Sequence, residues 1–596
     1  MRGRTAIPTL LALVVLSCSR VDAPAAAEAP PLRWNEWSPE VFERARAEGK
    51  LVLLDLGAVW CHWCHVMEET TYADAEVRNL MDRGYVAVQV DQARRPDLAA
   101  RYGDWGWPAT IIFDASAHEI GKFRGYIEPQ RMRSLLAAYT ADPTAGPSAV
   151  GGPSLEGALR RGSTELEPDL RKELVELHER SRDDEQGSWG FSHKYLPTAA
   201  IEWTLALAED GDARAASVAR RALDGNLALL DPVWGGFYQY SHGGVWTNPH
   251  FEKIMATEAD AIRVHARAGL LFREPRYLEA AARTAGYLLD FLLSPEGAFH
   301  PSQDADLEKG EHAGSYFALD DAGRRALGLP AVDAHLFARE NGQAIRALAE
   351  LHAATGDDRW LLAARKACAW VERERAVPGG GFRHDIALDE GLYLGDGLAM
   401  GQAYLALHLA TGERIWLDRA LDAARFIAAH FIDQASAGVL TSSLRPEQQG
   451  PFRPVALAEE NVDVARFARR LEAQTGDPVA HRILEQAMGF LTIPEIARQM
   501  PTAGTLLADH DALSKPMEVI IVGMPTDAAT IALHRAARSI PREFKRVTVW
   551  HPSQGPLAAS DVQYPAGASA QAFICADGAC SPPVSTPEEL IRVASR

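Results

Sequence analysis

Residues 50–67, KLVLLDLGAVWCHWCHVM, decide how the front of this chain folds. The apolar run behind Lys50 predicts a buried strand. The run from His65 onward, HVMEETTYADAEVRNLM, has helical character. Cys61 and Cys64 therefore stand where a strand hands over to a helix. Two thiols three positions apart at a helix start can close one small disulfide ring. The first also meets the unpaired N–H groups and positive end of the helix, which favour thiolate.

Working outward, residues 38–140 alternate helix and strand. SPEVFERARAEG predicts an amphipathic helix with Ser38 as N-cap. YVAVQVD (85–91), ATIIFD (109–114) and EIGKFRGY (119–126) read as strands, and PQRMRSLLAAY (129–139) as a closing helix. An open α/β sheet carries its reactive groups at the carboxyl ends of its strands, and Cys61 follows such an end.

This pattern resembles a thioredoxin-like domain. Trp60 precedes the first cysteine, Asp55 stands where thioredoxins bury a carboxylate, and VDQARRPDLAARYGDWGWPATIIF resembles the stretch leading into their cis-proline loop, with Pro108 as that proline. The resemblance implies that Pro108 follows a cis bond and presents backbone to an extended substrate. Cys61 should be the attacking thiolate, the more buried Cys64 should resolve the mixed disulfide, and Asp55 should relay its proton. His62 and His65 add imidazole beside the sulfurs, which should make the disulfide more oxidising than that of thioredoxin. Zinc is the rival chemistry, since Cys61, His62, Cys64 and His65 are ligand types. Four ligands in five residues cannot converge on one tetrahedral centre without breaking the helix, so no metal and no cofactor is expected.

The 596 residues are too many for a single core, and a net charge of −19 argues against nucleic-acid binding. Arg2 and Arg4 precede an apolar stretch, Ile7 to Leu16, too short to span a bilayer. It closes on Val15-Leu16-Ser17-Cys18, which resembles a bacterial lipoprotein signal with Cys18 as the lipidation site. Residues 1–18 then form a signal peptide and 19–33 an Ala/Pro-rich tether. The expected location is the cell envelope, periplasmic side, held by a lipid anchor alone. Ser19 after the cysteine favours the outer membrane. Cys368 reads as buried and inert, and Cys575 with Cys580 as a possible structural disulfide.

Beyond residue 160 the chain repeats a helix, a turn such as Thr355-Gly356-Asp357, Thr411-Gly412-Glu413 or Thr475-Gly476-Asp477, a second helix, and a Gly-aromatic loop. Such hairpins cannot bury their apolar faces alone and must stack. Five are clear, and LEPDLRKELVELHERS supplies part of a sixth. A closed ring of this kind resembles the (α/α)6 toroid of six-hairpin glycosidases and N-acylglucosamine 2-epimerases. Aromatic platforms with carboxylates and a histidine suit a carbohydrate pocket. The candidates are Trp189, His193, Trp234, Tyr240, Trp246, His250, Glu252, Lys253, Asp304 and Asp306. Residues 516–596 read as a small α/β segment without a phosphate-binding loop.

WCHWCHVM, then WGFSHKYLP, NPHFEK and QDAD together resemble the spermatogenesis-associated protein 20 family, which joins a thioredoxin-like domain to a six-hairpin toroid. This chain has Leu394-Gly395-Asp396-Gly397 where that family commonly shows Asp-Asp-Tyr. The expected fold is thus an α/β thioredoxin-like domain (34–142), an all-α (α/α)6 toroid (160–515) and the C-terminal α/β segment. The expected function is thiol–disulfide exchange with a protein thiol or disulfide partner, the toroid selecting the substrate. The alternatives are a carbohydrate-active enzyme or sugar-binding protein working through the toroid, and an envelope scaffold.

Overall fold

A computed structural model of the chain describes residues 32–144, 146, 161–386, 391–433, 436–443, 454–555, 557, 564, 569–576 and 579–594. The signal segment, Cys18 and nearly all of the tether lie outside these residues. No helix among the described residues is long and apolar enough to cross a membrane.

The first domain is built on four strands: β1 (Leu51–Gly57), β2 (Tyr85–Asp91), β3 (Ala109–Phe113) and β4 (Glu119–Arg124), in the order β2-β1-β3-β4. β1 runs parallel to β2 and antiparallel to β3, and β4 is antiparallel to β3. Alternation along β1 sends Val52, Leu54 and Leu56 into one core with Phe42 and Phe113. Leu53 enters the other with Met67, Val77 and Leu136. Asp55 lies on the Leu53 side, since side chains of one strand repeat every second residue.

The helices depart from expectation at two points. α1 (Glu40–Glu48) begins after Pro39, without a side-chain cap from Ser38. The run after the cysteines is broken: α2 (His62–Val66) passes into a π-turn at Met67–Thr71, and α3 (Ala75–Gly84) starts afresh. The cause is local competition for backbone groups. The Thr71 hydroxyl donates to the Ile127 carbonyl, and Asp74 accepts from the Glu76 and Val77 N–H groups as a new N-cap. α4 (Pro96–Tyr102) and α5 (Pro129–Ala141) complete the domain.

The toroid is a closed ring. Its inner helices are Thr198–Glu209, Met255–Phe272, Ala338–Thr355, Leu394–Thr411, Ala458–Thr475 and Ala503–Leu513, each packed on the next and the last on the first. Five are followed directly by their outer partners. The sixth pair joins Ala503–Leu513 to Pro168–Arg180 from the opposite end of the domain. Asp509 secures that join: it accepts from the Leu166 N–H at 2.9 Å and from Arg171 Nε at 2.6 Å. The Thr-Gly-Asp turns work by division of labour. In the clearest, the Thr355 hydroxyl bonds the Leu351 carbonyl, Gly356 takes φ 73°, and Asp357 caps the next helix through the Arg359 N–H.

The ring's axis is not hollow throughout. Arg263, Arg346 and Arg466 interlock with Glu202, Glu350 and Asp511 at its waist. Beyond them the C-terminal segment closes the end that carries the Thr-Gly-Asp turns, and Glu543 accepts from Arg267, Arg466 and Arg470. That segment's strands Met517–Val522, Lys545–Trp550, Gln571–Ala576 and Ala579–Cys580 repeat the order and senses of the first sheet. Cys575 and Cys580 are bonded across its edge hairpin. Cys368 is a buried free thiol.

Asp509→Ala leaves a buried N–H and a guanidinium without their acceptor, a loss of about 2–4 kcal/mol. The expected result is faster hydrogen exchange confined first to residues 166–180. Unchanged protection there would show that the ring does not depend on this join.

Candidate functional site

Cys61 is the N-cap of α2, and its Sγ accepts from the Cys64 N–H at 3.2 Å. The two cysteines form a disulfide, with Cα atoms 5.2 Å apart. Burial is the reverse of the sequence expectation: Cys61 is 4% exposed, while Cys64 is only partly buried. The reason is the second domain, which covers the Cys61 side; Cys61 packs with Trp60, Trp107 and the toroid's Ile254. Asp55 lies beneath, accepting from Tyr72 Oη at 3.1 Å and Gln89 Nε2 at 3.2 Å. Burial pushes its carboxyl up to about 6, against the pull of those two bonds. The Trp107–Pro108 bond is cis, as expected.

The histidines of the motif are the contact between domains. His62 Nδ1 lies 2.7 Å from one oxygen of Asp306, and His65 Nδ1 lies 3.1 Å from the other. His65 Nε2 faces the Val59 carbonyl at 3.1 Å and Asp304 at 3.7 Å. Burial would push Asp306 up, but hydrogen bonds from His62 and His65 hold it down at about 2. Burial likewise pulls His65 down, yet Asp306 and Asp304 outweigh it and raise the imidazole above its usual range. His65, Asp304 and Asp306 are close enough to ligate one metal ion. Both ring nitrogens of His65 face acceptor oxygens, an arrangement that a protonated imidazole satisfies. A second bridge crosses the boundary where the chain has Asp396: that carboxylate holds His384 Nδ1 at 2.8 Å, and His384 Nε2 lies 2.7 Å from the Ala93 carbonyl.

Cys61 opens onto a cavity of about 560 Å³ between the domains. Trp60, Trp63, Gly106 and Trp107 form its redox-domain wall, and His193, Tyr195, Tyr240, Glu252, Thr257 and Asp260 its toroid wall. Of the toroid residues singled out in the sequence, His193, Tyr240 and Glu252 reach this cavity. His250 stacks on Tyr240 at 4.3 Å and lies 3.9 Å from Glu252, while Asp304 and Asp306 form the clamp. The other four are elsewhere. Trp189 stacks on His178, Trp234 donates to Asp321, Trp246 donates to the Gln186 carbonyl, and Lys253 is buried against Asp231. Those three tryptophans pack between hairpins, where a large flat ring fills the groove best.

Sequence reading missed Trp63, Trp107, Tyr195, Thr257 and Asp260. Only Asp260 carried a signal, an acid three residues before Arg263 on one helix face; the pair lies at 2.6 Å. The others become neighbours only when the domains dock.

A family described as Thioredox_DsbH, a protein of unknown function (DUF255), matches residues 25–135. Spermatogenesis-associated protein 20 from Homo sapiens is 26% identical over 330 residues, covering 48% of this chain and 41% of that protein. The match thus spans about two fifths of such relatives. The thiol:disulfide interchange protein DsbD of Cronobacter sakazakii is 38% identical over 90 residues, 14% of this chain and 16% of that protein. Among solved structures, cellobiose 2-epimerase from Bacillus thermoamylovorans superposes with a TM-score of 0.42 at 12% identity, covering 54% of this chain and 86% of that one. In sequence the chain is thus similar to spermatogenesis-associated protein 20 over about half of its length, and at its front to the Thioredox_DsbH family.

Proposed function

We propose that the chain is a thiol–disulfide oxidoreductase whose centre is the Cys61–Cys64 pair. The observation that carries this reading is a disulfide at a helix start opening onto a cavity. An incoming thiolate attacks Cys61 Sγ, the S–S bond breaks, and Cys64 leaves as thiolate. A second thiolate then attacks the mixed disulfide and frees Cys61. Asp55 shares a strand face with Gly57, where an added Cβ would lie 3.3 Å from Cys64 Sγ. With its carboxyl near 6, Asp55 is placed to hand Cys64 its proton. The imidazolium at His65 favours thiolate, so the Asp306 clamp belongs to the redox centre although it comes from the toroid. A leader ending at Cys18 supports envelope placement by a lipid anchor, and the −19 charge supports a role without nucleic acid.

A second reading, sugar chemistry in the same cavity, has one observation in its favour. Burial pushes Glu252 up to about 7 and, with neighbouring histidines, pulls His250 down to about 4. A half-protonated acid beside a neutral imidazole is an acid–base pair. Under this reading, turnover of a reducing sugar survives Cys61→Ser and is lost in Glu252→Gln.

Under the redox reading, Cys61→Ser abolishes disulfide exchange, and Cys64→Ser accumulates a mixed disulfide. Exchange at the wild-type rate in Cys61→Ser would reject the assignment. The wild-type potential should lie above about −270 mV, and Asp306→Asn should lower it by roughly 30 mV or more by uncharging the imidazole. An equal potential in both proteins would remove Asp306 from the centre.

Glu252 gives a pH test. Its folded pKa is raised from 4.5 to about 7, so the folded form holds the proton more tightly. Its stability contribution is full below 4.5 and declines as pH rises through 7. Glu252→Gln should therefore stabilise the protein at pH 8, by about 3 kcal/mol at most, and give no gain at pH 4. A gain independent of pH would contradict a buried carboxyl.

A further inference from the structure

The dimensions and charge of the cavity at Cys61 narrow what can react there. Cys61 is 4% exposed and lines a space of about 560 Å³ between the domains. Tyr195 and Tyr240 of the toroid stand across it from Trp63 and Trp107, so the face of the redox domain beside the disulfide is already covered. A folded protein cannot lay a surface against it, whereas the volume is ordinary for a small-molecule site. Thr257 and Asp260 line it from helix Met255–Phe272, and Arg263, one turn further along that helix, is locked into the ion network at the waist.

The lining contains no lysine or arginine, and its acids are Glu252 and Asp260. Asp260 shares Arg263 with Glu202 and Glu350, which Arg466 and Arg346 also hold. Two further acids lie close by. Burial raises both: Asp463 against the pull of Arg466 and Arg346, and Glu459 with help from Asp463 and Asp104. A lining with carboxyl groups and neither lysine nor arginine favours an ammonium over an anion.

We propose that the reaction partner of the Cys61–Cys64 pair is a low-molecular-weight thiol carrying no net negative charge, whose sulfur meets Cys61 while its amine or hydroxyl end lies toward Asp260. This rests on the thiol–disulfide reading of the site and names its substrate class. The half-reaction is balanced without another reagent: two R–SH and the enzyme disulfide give R–S–S–R and the enzyme dithiol, the two thiol protons ending on Cys61 and Cys64.

The test uses the oxidised full-length protein and follows reduction of Cys61–Cys64 by thiol trapping, with rates corrected to thiolate concentration. The probes are cysteamine, 2-mercaptoethanesulfonate and a reduced, unfolded protein. The expected result is that cysteamine reacts at least tenfold faster than 2-mercaptoethanesulfonate and faster than the protein thiol, and that Asp260→Asn moves the cysteamine-to-sulfonate ratio toward one. If the protein thiol is fastest, or if the two small thiols react equally in wild type, the substrate class is wrong while the redox reading stands. If none of the three reduces the pair, the redox reading itself falls and this inference with it.

Discussion

One carboxylate organises the molecule. Asp306 accepts from His62 and His65, two residues of the redox motif, and so ties the first turn of α2 to a loop of the ring. The interaction is buried on both sides, where removing one partner of a charged pair costs about 3–5 kcal/mol. Together with the His384 bridge it joins the domains, and it places a carboxylate against the turn that carries the sulfurs. The cavity, the burial of Cys61 and the nearness of Glu252 to the Cys61 turn all follow from that single docking geometry.

The ring is held by a different device. Its inner helices share one apolar core and add arginine–carboxylate pairs at the axis, with Arg466 reaching Glu202, Asp511 and Glu543. Charges buried in this way contribute little net stability compared with apolar packing, but they tolerate few alternative arrangements. Small residues let neighbouring inner helices approach closely, as Gly342 against Ala399 shows: an added Cβ would lie 2.8 Å from its neighbour.

Local signals were legible in the sequence and long-range ones were not. The strand before Trp60 and the Thr-Gly-Asp turns were readable because each is written in adjacent residues, whereas the cis bond at Pro108 came from the thioredoxin resemblance. The break between α2 and α3 was missed because Thr71 and Asp74 offer backbone groups an alternative that periodicity does not weigh. Trp189, Trp234 and Trp246 looked like one aromatic site because their loops share a spelling, yet each ring is wedged between different helices. Burial of Cys61 could not be foreseen from the first domain alone, since the covering residues lie near position 250. The histidines were noted as modifiers of the sulfurs, and QDAD as a sugar-site motif; that the two bind each other is a fact of docking, invisible to either segment separately.

The second sheet, at the far end of the ring, has one more consequence. It matches the first in strand order but brings no thiols to its strand-to-helix handover, and with Glu543 it seals that end. The cavities on either side of the waist share no lining residue. The toroid is thus a cup and not a tunnel. Whatever reaches Cys61 comes from the redox-domain side, and the space there has to admit a second thiol while the first is still held on sulfur.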